Sequence, residues 1–241
     1  EIMFQDPSTI AAFIMEPIQG AGGVIVPDAS FMKLARDICD KHGILMISDE
    51  VITGFGRTGD WSGARHWKVK PDMMTVAKGI TSAYFPVGAT LVSAKVAETF
   101  ESDQSAEGSI WHGYTYSAHP VGMAAVNACV SETLRLDLKS NASARGTQLC
   151  DGLKALQAEF DIIGDVRGGH GLMAAIELVS DRATKTPLEM GAIKRAHKAT
   201  YEAGTMVRVG GNNLLMSPPL ILTEADVAKI LADLRSGLST L

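Results

Sequence analysis

The chain has 241 residues, 46% of them hydrophobic, and its 22 basic and 27 acidic side chains leave a net charge of -5. That is enough apolar material for one large or two modest cores, and without any basic run it excludes a nucleic-acid or anionic-membrane surface role, which needs clustered Lys and Arg. Cys39, Cys129 and Cys150 are far apart and odd in number, so reduced thiols in a cytoplasmic protein are expected rather than a disulfide framework or a zinc site, and no apolar segment is long enough to span a bilayer.

The first predicted element is a strand from about Ile10 to Met15, ending at Glu16. The glycines of Gly20 to Gly23 form either a flexible crevice wall or an ordinary turn. From Asp28 to His42 the pattern is an amphipathic helix. Phe31, Leu34, Ala35, Ile38 and Cys39 share a face, with Asp28 as N-cap and Gly43 as the residue past the end. Ile44 to Ile47 then form an unbroken apolar run that meets charge at Asp49 and Glu50, as in a strand buried on both faces of a parallel sheet. In open α/β sheets the ligand crevice lies beyond the carboxyl ends of the strands, which is where Asp49 falls.

A period-2 reading carries on past Asp49 and aims Val51 at the same crevice, with core packing as the alternative. Arg57 in GFGRTG anchors its loop, and Trp61, His66 and Trp67 lie in a polar connection with no role assigned. Met73 to Ala77 make a second apolar run that delivers Lys78 at the same kind of strand end, and Val87 to Ser93 make another strand. Asp49 and Lys78 form either a salt bridge or a chemical pair. The small neighbours Ala77 and Gly79 favour the latter, because they leave room for a flat ligand. A desolvated lysine suits Schiff-base chemistry, and an aspartate beside it can keep a pyridinium nitrogen protonated. None of the six histidines has metal-ligand spacing, so no catalytic metal is expected.

HGYTYSAHP, His112 to Pro120, precedes a helix whose alanines 124, 125 and 128 should pack closely. Hydroxyls and free N–H groups before a helix suit a phosphate, with plain turn residues the alternative. From about residue 140 the pattern changes to a smaller α+β domain. It has a helix from Asn141 to about Phe160, strands in IIGDVRG and GLMAAIELV, and a helix from Leu188 to about Ala203. The final helix is opened by Thr223 with Asp226 as its capping box. Arg208 stands between Val207 and Val209, either gripping a carboxylate through two parallel hydrogen bonds or serving an interdomain salt bridge.

Five motifs, MEPIQGAGG, ISDEVITGFGRTG, PDMMTVAKG, HGYTYSAHP and VRVGGNNLLMSPPL, occur in an order and spacing that resemble the class III aminotransferases of pyridoxal-phosphate fold type I. The omega-amino-acid and pyruvate-dependent transaminases are the most similar. The resemblance implies an α/β fold, with a mainly parallel large domain over 1–140, N-terminally incomplete, and a small C-terminal α+β domain over 141–241. It implies pyridoxal 5'-phosphate held as an imine by Lys78, with Asp49 on the ring nitrogen and Val51 against the ring face. Thr115 reaches the phosphate of a neighbouring subunit, so a homodimer is expected, and Arg208 binds the substrate carboxylate. Ornithine and 4-aminobutyrate members resemble EPIQGE, whereas Ala21 replaces that last acid here, which favours the omega-amino-acid:pyruvate subgroup.

The reaction implied is amino transfer from an amine or omega-amino acid to an α-keto acid such as pyruvate. The alternatives are another class III outcome, an aminomutase or epimerase, and an inactive truncated fragment, since the chain opens on Glu1 without the segment that precedes this point in the family.

Overall fold

The computed structural model describes residues 6–103, 105 and 108–241; Glu1, on which the chain opens, lies outside them. The chain divides into two compact units. One comprises the chain up to Pro17, Pro27–Phe55 and Trp61–Leu136, and the other Ile18–Val26, Gly56–Asp60 and Asp137–Leu241.

The first unit is built on a sheet of β1 (Ala12–Met15), β2 (Leu45–Asp49), β3 (Met73–Val76) and β4 (Ala89–Val92), hydrogen-bonded in that order. β1, β2 and β3 run parallel and β4 is antiparallel to β3, so the sheet is mixed with a parallel majority. Helix α1 (Phe31–His42) connects β1 to β2 and packs on β2. Ser30, two residues after Asp28, is its N-cap, while the Asp28 carboxylate accepts from the Ser30 N–H at 2.8 Å. Gly43 ends the helix at φ 68°, a left-handed conformation that costs glycine least.

Three packing expectations fail in this unit. The core-facing side of α1 is Met32, Ala35 and Cys39, which meet Ile44, Met46, Ala64 and Val69; Phe31, Leu34 and Ile38 are exposed. The helix carries two adjacent apolar stripes, and only one of them can meet the sheet. Similarly β2 buries Met46 and Ser48 while Leu45, Ile47 and Asp49 are half-buried, short of burial on both faces. Helix α2 (Gly63–His66) is a single turn capped by Ser62, too short to leave a periodicity in the connection where no element was expected. Helices α3 (Ala94–Ser102) and α4 (Pro120–Arg135) complete the unit. In α4, Gly122 and Thr133 are buried and alanines 124 and 128 are exposed, so its packed face is turned from the one expected.

The second unit has helix α5 (Leu138–Glu159) and an antiparallel sheet of β5 (Ile163–Arg167), β6 (Ala174–Asp181), β9 (Asn213–Met216) and β8 (Arg208–Gly210), in that order, with β7 (Thr186–Pro187) on β6. Helices α6 (Met190–Ala203) and α7 (Glu224–Leu238) complete it. Leu153 and Leu156 of α5, Ile176 and Leu178 of β6, Leu214 of β9 and Val227 and Leu234 of α7 form its core. The Thr223 hydroxyl accepts from the Asp226 N–H at 3.2 Å and the Asp226 carboxylate from the Thr223 N–H at 2.8 Å, the reciprocal cap expected of this pair. Cys39, Cys129 and Cys150 are unpaired. Among the described residues no helix is long and apolar enough to cross a membrane.

Candidate active site

Register brings the two charged strand ends together. Asp49, the last residue of β2, pairs with Thr75 of β3, and the Glu50 N–H donates to the Thr75 carbonyl at 2.9 Å. Lys78 comes three residues after Thr75, so one strand spacing and three residues of chain keep its Cα within about 16 Å of that of Asp49. Lys78–Ile80 form a tight 3-10 turn. A Cβ built on Gly79 would lie 3.2 Å from Phe55 Cβ and 3.5 Å from the Gly54 carbonyl. The turn carrying Lys78 therefore rests directly on the loop that follows Asp49, and a side chain at 79 would force them apart.

Lys78 is exposed, and its backbone sits at φ 43°, in the left-handed region that L-residues other than Asn and Asp seldom occupy. Such strain concentrates at functional positions. Among the described residues Lys78 makes no ion pair or side-chain hydrogen bond, so the salt-bridge alternative is not the arrangement adopted. Asp49 is half-buried and accepts from the Val51 N–H at 3.0 Å. Val51 lies beyond the strand, in a turn running from 51 to 58, so the alternation that aimed it at the crevice does not reach it. What Val51 supplies directly is the backbone donor that orients Asp49.

Thr115 is exposed in a turn closed by the Ser117 N–H donating to the Tyr114 carbonyl at 2.9 Å. That turn leads into α4, which begins with Pro120 and is capped by His119; α4 in turn packs against the Lys78–Ile80 turn. Arg208 opens β8 in the second unit, is exposed, and pairs with Leu215 of β9. A Cβ built on Gly210 would be 3.8 Å from the Ala21 carbonyl, so the glycine-rich segment neighbours the strand that carries Arg208. Among the described residues no carboxylate pairs with Arg208. Arg57, also in the second unit, donates from Nη1 to the Leu172 carbonyl at 2.9 Å and the Pro218 carbonyl at 2.5 Å. Burial pushes its guanidinium down to about 10, which still leaves a cation at neutral pH, and its role as a loop anchor is realised through these two carbonyls.

The donor set fits an aromatic aldehyde with a ring nitrogen. It offers an unpaired amine with small flanking residues and an acceptor held by a single backbone donor. In the sequence Glu50 is legible only as a charge that ends the apolar run, with no role of its own. It is buried and accepts four hydrogen bonds, but an acid following Asp49 carries no local signal of which donors will surround it.

Comparison with known proteins shows the family of the chain. The family model described as aminotransferase class-III matches residues 2–238. A taurine–pyruvate aminotransferase of Bilophila wadsworthia is 38% identical over 99% of this chain and 54% of its own length. A probable gamma-aminobutyrate transaminase 4 of Oryza sativa subsp. japonica is 38% identical over 96% of this chain and 48% of its own. Among solved structures, an amine transaminase from an uncultivated Pseudomonas species in a PLP-bound form superposes with a TM-score of 0.96 at 44% identity, covering 99% of this chain and 54% of that one. A thermostable (S)-enantioselective omega-transaminase from Thermomicrobium roseum gives 0.93 at 40%, covering 99% and 53%. The chain spans about half the length of the curated relatives it matches.

Proposed function

Because the chain belongs to the class III aminotransferase family, we propose that it works as a pyridoxal 5'-phosphate-dependent transaminase. It moves an amino group from an amine or omega-amino acid to an α-keto acid such as pyruvate. The observation that carries this reading is the unpaired Lys78 amine, held in a strained turn against the loop that follows Asp49.

Lys78 holds the cofactor through its ε-amine. Asp49, oriented by the Val51 N–H, would accept from the ring N–H and so favour the cationic ring nitrogen. When bound, pyridoxal phosphate supplies an electron-poor ring into which carbanion charge delocalises. With the cofactor bound and its ε-amine free, Lys78 would take and return a proton at Nζ, as base and then as acid. Val51 packs against the ring. Arg208 grips the substrate carboxylate, and Ala21, standing where some members have an acid, leaves that guanidinium unneutralised; this supports the omega-amino-acid:pyruvate subgroup. Thr115 donates to the phosphate held by a second copy of the chain, which makes the working form a homodimer. The unpaired thiols suit a cytoplasmic setting.

The test is spectroscopic and chemical. The chain incubated with pyridoxal phosphate develops a visible band and, given an amine and pyruvate, forms alanine. Lys78→Ala abolishes both. Alanine formation at the wild-type rate by that variant would refute the assignment, and so would the lack of any band in the unaltered chain.

A further inference from the structure

Glu50 has no part in the reading above, yet it is fastened from every side. Only 1% of it is exposed. Its Oε1 accepts from the Ser48 hydroxyl at 2.8 Å and the Ala64 N–H at 2.8 Å. Oε2 accepts from the Thr53 hydroxyl at 2.5 Å and the Gly63 N–H at 2.7 Å. Its own backbone is held as well, the N–H by the Thr75 carbonyl at 2.9 Å and the carbonyl by the Gly54 N–H at 3.0 Å. Gly63 is shaped to this contact: a Cβ there would come within 2.5 Å of Pro17 Cβ and 3.1 Å of Thr53 Cβ. A carboxylate in such a setting replaces its lost water with donors and becomes a rigid node.

Asp49 lies between two of the anchored residues. Ser48 before it donates to Glu50, Glu50 follows it, and Val51, which orients the Asp49 carboxylate, comes next. We propose that Glu50 is a positioning residue for Asp49: its four-donor clasp fixes the backbone from 48 to 54, and with it the orientation in which the Asp49 carboxylate meets the cofactor's ring nitrogen. The inference rests on the role of Asp49 proposed above.

Only a carboxylate satisfies all four donors. The Ser48 and Thr53 hydroxyls can rotate to accept, but the Gly63 and Ala64 N–H groups cannot. A glutamine offers one oxygen and must set its NH2 against one of those N–H groups, at nearly unchanged size. Groups held this way around a reacting residue set its orientation, and their loss reaches the ligand.

The test uses the chain loaded with pyridoxal phosphate and reads three quantities: the pH midpoint of the visible band, the rate of cofactor release and the thermal unfolding temperature. E50Q releases cofactor on the order of tenfold faster, the scale on which losing a supporting partner weakens a bound group. It also moves the band midpoint in the direction that D49N moves it. In the D49N background, E50Q moves the midpoint no further, although it still lowers the unfolding temperature, because the two act through one carboxylate. A purely structural Glu50 lowers the unfolding temperature and leaves midpoint and release at wild-type values, and that result overturns the proposal. An additive shift in the double variant overturns it equally. Should E50Q not fold, T53V removes one donor of the four and is read the same way; an unmoved midpoint there counts against the clasp. If D49N itself leaves band and release unchanged, it is the assignment of Asp49 that fails, a result separable from the others.

Discussion

At Lys78 the backbone takes a conformation that the side chain makes unfavourable, at φ 43°. The contact of Gly79 with Phe55 and Gly54 pins the turn, so the strain has no local relief. An L-residue in the left-handed region costs about 1 kcal/mol or more relative to glycine, and here that cost falls on the residue with the reactive amine. The expectation is that Lys78→Gly, measured by urea unfolding without cofactor, is more stable than Lys78→Ala by about 1 kcal/mol, although glycine ordinarily weakens a fold through the entropy of the unfolded chain. Neither variant carries out transamination. Equal stability of the two would mean that the turn relaxes freely and that the amine is not held by its backbone.

Between elements, the sheet end opposite Asp49, where β3 begins, is tied to α1 through Asp72. Its carboxylate accepts from Arg36 Nη1 at 2.7 Å and from the Met46 N–H at 2.8 Å, so helix, β2 and the approach to β3 share one node. Burial pushes the Asp72 carboxyl up, but the Met46 N–H and the Arg36 guanidinium outweigh it and hold the group below the usual carboxylate range. A carboxyl whose folded value lies below its unfolded one stabilises the fold above the unfolded value, near 3.9, and that contribution is lost as pH falls through the folded value. Asp72→Asn should therefore lose about 2 kcal/mol at neutral pH, the scale of one charged hydrogen bond, because Arg36 keeps its ion pair with Asp40 at 2.8 Å. The difference from the parent chain closes in acid, as the pH falls through the folded value and the parent's own carboxyl becomes protonated. Denaturant unfolding at both pH values measures it, and a gap that persists undiminished in acid would mean that packing, not charge, holds the node.

At the scale of the molecule, the division of labour between copies is open to a subunit-mixing experiment. Lys78 and Thr115 both belong to the first unit, but the proposed site takes Lys78 from one copy and Thr115 from another. Lys78→Ala and Thr115→Ala chains, each inactive alone, should regain activity when mixed and refolded. In a symmetric dimer with random pairing, half the dimers are mixed and each has one intact site, giving about a quarter of the parent activity per subunit. No recovery would place both residues in the same copy's site. The exposed aromatic side chains of Trp111, Tyr114 and Tyr116 around Thr115 are of the type enriched where chains meet.

The amino-acid sequence alone determined which residues stand at the carboxyl ends of the parallel strands, because an abrupt change from apolar run to charge at Asp49 and Lys78 is a local pattern. The same locality made the Thr223 and Asp226 cap and the glycine at the end of α1 legible. It could not say which of two apolar stripes on α1 meets the sheet, that β2 stops before Val51, or that Glu50 is enclosed by donors from residues 48, 53, 63 and 64. Each of those outcomes depends on how segments distant in the chain come into register, and a burial pattern or a hydrogen-bond partner exists only once they have packed.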